Sequence, residues 1–88
     1  MTMHHVHDGD DLQAVIDAAQ PGDVVKVHPG TYDNIVMRSG VSVEGATSSG
    51  TFKFRTPPTK AAIYWADDVT GAHLLGFANA RIEREDVK

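Results

Sequence analysis

The stretch Leu12-Gln13-Ala14-Val15-Ile16-Asp17-Ala18-Ala19-Gln20-Pro21-Gly22-Asp23-Val24-Val25-Lys26-Val27-His28-Pro29-Gly30-Thr31-Tyr32 decides the fold, because the period of its apolar residues changes partway along. Leu12, Val15, Ile16 and Ala19 stand at i, i+3, i+4 and i+7, one apolar stripe of an α-helix over Asp11 to Ala19. Asp10 is placed to cap the first turn, Gln13 completes a capping-box spacing, and Asp11 opposes the positive end of the helix. Pro21-Gly22 stops it. A helix of about nine residues is marginal alone, so its stripe must lie on an apolar surface.

Beyond Pro21 the period is two. Val25 and Val27 alternate with Val24, Lys26 and His28; Ile35 and Met37 alternate with Val36 and Arg38; Val41 and Val43 alternate with Ser42 and Glu44. Each run predicts a short strand. Pro29-Gly30 and Ser39-Gly40 separate them, with a positive φ expected at the glycine of a tight turn.

This segment, continued through Ser39-Gly40-Val41-Ser42-Val43-Glu44-Gly45-Ala46, resembles the entry of pectin-lyase-like right-handed parallel β-helices. The resemblance covers about 35 of the 88 residues. It implies that the helix lids the open end of a solenoid, that Pro21-Gly22-Asp23 launches the first strand, and that Pro29-Gly30-Thr31-Tyr32 turns the corner into the next. It also implies that Val25, Val27, Tyr32, Ile35, Met37, Val41 and Val43 point inward, in agreement with the alternation read from the residues alone.

Further strands are expected at Thr51 to Arg55, Ala62 to Trp65, Ala72 to Leu75 and Ala80 to Glu83. Val69-Thr70-Gly71-Ala72-His73-Leu74-Leu75-Gly76-Phe77 is similar to later rungs of such helices. Pro57-Pro58 cannot donate ladder hydrogen bonds, Asn79 falls on the inward side, and residues 81–88 are too charged to extend a core. The fold class expected is therefore all-β: a short right-handed parallel β-helix of about three coils at roughly 20 to 25 residues each, capped by one N-terminal α-helix. Residues 1–9 are expected as a flexible leader and 10–88 as a single domain.

Composition is that of a soluble globular chain, with 41% hydrophobic and 23% charged residues. A net charge of −4 has the wrong sign for non-specific nucleic-acid binding. No cysteine is present, which removes disulfides, thiolate metal sites and cysteine nucleophiles. No signal-like or membrane-spanning apolar run occurs, so a cytoplasmic protein without nucleic-acid or membrane partners is expected, unless the chain is cut from a longer one.

Residues that could carry chemistry are few. His4, His5 and His7 cluster near the start, and imidazoles suit copper, nickel and zinc. Lys53 and Arg55 alternate with Phe52 and Phe54 on one outward face, with Lys60, Tyr64 and Trp65 soon after. Aromatic platforms beside cations suit acidic sugars by stacking and charge. Asp67-Asp68 and Asp33-Asn34 fit solvated corners, and His28 and His73 fit outward strand positions without a nucleophile partner. No cofactor is implied.

The expectation for function is a non-catalytic β-helical module for self-assembly or ligand binding, carbohydrate being the ligand class. Self-association through the C-terminal end is expected, since no second cap is visible in the sequence. The alternative is a carbohydrate-active enzyme, a polysaccharide lyase or glycoside hydrolase, either as a fragment or with a site formed between subunits from Arg38, Lys53, Arg55 or nearby acids. In the resembling enzymes the groove is assembled from several successive rungs, more than this chain supplies.

Overall fold

The computed structural model describes residues 2–46, 52–55, 61–76 and 82–84. Among them the chain is mostly strand with one short helix. In order these are β1 (Met3–Val6), α1 (Leu12–Ala18), β2 (Val24–Val27), β3 (Gly30–Asp33), β4 (Ile35–Val36), β5 (Ser42–Gly45), β6 (Phe52–Arg55), β7 (Ile63–Trp65), β8 (Leu74–Leu75) and β9 (Ile82–Arg84). The strands form three small parallel sheets, β1-β2-β5-β8, β3-β6 and β4-β7-β9. From β2 to β7 the chain visits the first, second and third sheets in turn, twice, and β8 returns to the first.

Register follows the inward alternation. Val25 stands on Val43 and Val43 on Leu74; Tyr32 stands on Phe54; Ile35 stands on Ile63. All seven residues expected inward, Val25, Val27, Tyr32, Ile35, Met37, Val41 and Val43, are buried at 2% exposure or less. Val6, Leu12, Ile16 and Ile63, with the small Ala19, Ala62 and Ala72, complete this core, and Phe52, Phe54 and Trp65 are among the residues packed against it. Parallel sheets need both faces covered or solvated by polar groups, and here Lys26 and Glu44 occupy the outer face of the first sheet, joined at 2.8 Å.

The segment expected as a flexible leader holds β1, which pairs with β2 from Met3↔Val24 to Val6↔Val27. Val6 is fully buried, and that burial together with the ladder to β2 orders the segment. The helix is one residue shorter at each end than expected, and its N-cap is Asp11, whose carboxylate accepts from Ala14 N–H at 3.1 Å. Asp10 accepts from His7 N–H instead, closing the preceding turn. Gly30 differs too: it lies in β3 without a positive φ. Its lack of a side chain is needed because a Cβ there would come within 2.6 Å of Asp8 Cβ. The corner reading of Gly30-Thr31-Tyr32 thus gives way to a strand.

Gly40 does carry a positive φ of 79°. Gly22 N–H donates to Gly40 O, and Gly40 N–H to Thr70 O, so three successive turns stack into a column between the third and first sheets. In the region where a strand was expected at Ala80 to Glu83, β9 extends the third sheet through Ile63↔Ile82. The expectations for Pro57-Pro58, Lys60, Phe77 and Asn79 lie outside the described residues. No helix among the described residues is long and apolar enough to cross a membrane.

Candidate functional site

The histidines divide. In β1, alternation sends His4 to the same side as buried Val6, and His5 outward. His4 Nε2 lies 3.0 Å from the buried carboxylate of Asp23. Asp23 also accepts from the backbone N–H groups of Thr2 and Gln20. The His4 contact, followed by the two backbone donors, lowers the Asp23 pKa to about 2. Asp23 therefore fastens the start of β1 and the turn after α1 to one carboxylate.

His5 and His7 meet His28, which follows β2. His5 Nδ1 is 3.1 Å from His28 Nε2, and the His7 ring stacks on His28 with centroids 4.1 Å apart and planes 19° from parallel. Burial, then the neighbouring His7 and His5, push the His28 pKa below its ordinary value. The expected grouping of His4, His5 and His7 is thus rearranged: His4 leaves it and His28 joins. Sequence spacing gave no sign of this, because β1 had to be recognised before its outward residues could be laid beside the end of β2. Among the described residues no three metal-binding side chains already surround one point.

Lys53 and Arg55 do share the exposed outer face of β6. Arg55 Nε donates to Asp33 Oδ1 at 3.0 Å, across to β3. Tyr64 is on a different sheet, paired with exposed Val36, while Trp65, next along β7, packs against the core. Of the four candidate ligand-binding residues, Lys53 and Arg55 thus stand together on the second sheet, and Tyr64 and Trp65 on the third.

A cleft of about 200 Å³ opens between the start of α1 and the ends of β3 and β6, lined by Asp10, Asp11, Gln13, Tyr32, Asp33 and Arg55 among others. The polar side chains just named are engaged within the fold. Asp10 holds His7 N–H, Asp11 caps the helix, Asp33 holds Arg55, and Tyr32 Oη donates to His28 O. Arg38 is likewise engaged, donating to Asp17 O at the end of α1. Asp67 and Asp68 form an exposed turn, and exposed His73 uses its backbone N–H to reach Ser42 Oγ.

These arrangements hold strands and turns in place; none aligns a nucleophile, a base and an oxyanion donor around a common point. Comparison with family models, with curated proteins and with solved structures finds no match to this chain.

Proposed function

We propose that this chain is a short right-handed parallel β-helix of the pectin-lyase-like kind, working as a non-catalytic module that associates with further copies through its C-terminal end. The cyclic order of strands among three parallel sheets, with inward residues stacked in columns, supports the fold. The observation that carries the function is how thoroughly the N-terminal end is closed. In the first sheet, β1 covers β2 and is itself held by Asp23. In the second, Asp8 Oδ1 accepts from Thr31 N–H of β3 at 2.9 Å. In the third, the Gln13 amide takes both backbone groups of Val36 in β4. In the second and third sheets these side chains stand where an added strand would bond, so strand addition at that end is hindered by the chain's own groups.

Among the described residues the opposite edge of the first sheet is β8, whose Leu74 stands on Val43 at the end of the inward column, while Leu75, beside Glu44, is 58% exposed on the outer face. Hindered edges at β3 and β4, opposite a first sheet that ends on the apolar β8, favour growth from the C-terminal end. Sedimentation velocity at micromolar concentration should show dimers or larger species, and Leu74→Lys, which places a charge at the end of the inward column, should shift them toward monomer. A wild-type chain that is monomeric throughout that range overturns the reading.

A further inference from the structure

We propose that His5, His7 and His28 bind one divalent transition-metal ion of the imidazole-preferring class, Zn²⁺, Cu²⁺ or Ni²⁺, and that the ion clamps β1 to the end of β2. Nitrogen–metal bonds of about 2.0–2.1 Å place two cis ligands on one ion roughly 2.9 to 3.4 Å apart, from square to tetrahedral geometry. His5 Nδ1 and His28 Nε2 stand 3.1 Å apart, already at that spacing. No charge has to be created for both to become ligands. The hydrogen shared between them moves to the remote nitrogen of whichever ring donates it, leaving both facing nitrogens with lone pairs.

His7 supplies the third donor. Its exposed ring lies over His28 at 4.1 Å and turns about its own side-chain bonds, the freest motion available to a surface residue. Water completes the coordination. The cation registered with His5 is compensated: Lys26, its β2 partner, is paired with Glu44 at 2.8 Å. His4 is excluded, because it points to the other side of β1 and is held by Asp23.

The test is isothermal titration of the full chain with Zn²⁺ in a non-chelating buffer, beside thermal melts with and without the ion. One ion per chain and a raised melting temperature are expected, because an ion that binds only the docked arrangement stabilises it. His28→Ala should weaken binding by roughly tenfold or more while His4→Ala leaves affinity within about twofold, since loss of a ligand removes a direct bond. His7→Ala, at an exposed ring, gives the same loss without a folding risk. Affinity unchanged in both His28→Ala and His7→Ala, or lost in His4→Ala with the other two intact, overturns the proposal. Sedimentation is unaffected by these outcomes, so this site and the assembly reading fail or stand separately.

Discussion

The side-chain amide of Gln13 pairs with the backbone of Val36 at two points: Oε1 accepts from Val36 N–H at 2.8 Å, and Nε2 donates to Val36 O at 3.2 Å. The amide thus occupies the place a neighbouring strand would take on the edge of β4, and it couples the lid helix to the third sheet. Gln13→Ala should cost about 1 kcal/mol, the usual net worth of such partly solvated bonds. Hydrogen exchange at the Val36 amide should accelerate with it. Gln13→Glu keeps the acceptor and loses the donor, so its Val36 amide should exchange at an intermediate rate.

Gly30 sits where Asp8 crosses over β3. A Cβ at residue 30 would stand 2.9 Å from the Asp8 backbone Cα, and backbone cannot swing aside as a side-chain tip can. Gly30→Ala should push Asp8 away and break its bond to Thr31 N–H. Overpacking of this kind costs about 1–3 kcal/mol, read as a lower urea midpoint. Gly40→Ala should cost a similar amount by two routes at once. Its φ of 79° strains any side chain, and the new Cβ would stand 2.9 Å from Pro21 Cα.

The period-two runs made the core legible in sequence. Val25, Val27, Ile35, Met37, Val41 and Val43 alternate with residues that tolerate water, and such alternation has one solution for which side faces in. β1 was not legible, because in Met3-His4-His5-Val6 one large aliphatic residue alone is buried, and the inward His4 is satisfied by a carboxylate remote in sequence. The same remoteness hid the pairing of His5 and His7 with His28. The N-cap was misplaced by one residue because Asp10 and Asp11 are chemically equal candidates. Only the turn made by His7 N–H and Asp10 separates them. Lys53 and Arg55 belong to one sheet and Tyr64 to another, a separation that their spacing in the sequence does not express.

Asp23 makes stability depend on acid. Its carboxyl has an ordinary pKa of 3.8 and is lowered to about 2 in the folded chain, so the unfolded chain binds the proton more readily. The stabilisation is complete above pH 4 and is lost as pH falls from there through 2. Denaturant unfolding followed from pH 5 to pH 2 should show this loss. Asp23→Asn should be less stable at neutral pH, and its stability should vary less with pH in that window. An equal acid slope in the variant would assign the dependence to other carboxyls.

Tyr32 combines two roles that one substitution separates. Its ring is buried at 1% exposure and faces Phe54 with centroids 6.2 Å apart, while its hydroxyl donates to His28 O and reaches toward Val6 O at 3.4 Å. Tyr32→Phe preserves the ring and orphans the His28 carbonyl at the end of β2, which should cost about 1–2 kcal/mol. Tyr32→Ala also removes the ring from the core and should cost about 3–5 kcal/mol. Burial, reinforced by Asp8 and Asp10, raises the Tyr32 pKa above its ordinary value, so the phenolate forms less readily in the folded chain than in the unfolded one. Alkaline titration followed at the tyrosinate absorption band should then show a component above the ordinary tyrosine range that Tyr32→Phe removes. Stability should fall once the pH passes the ordinary tyrosine range, and Tyr32→Phe should remove that alkaline loss.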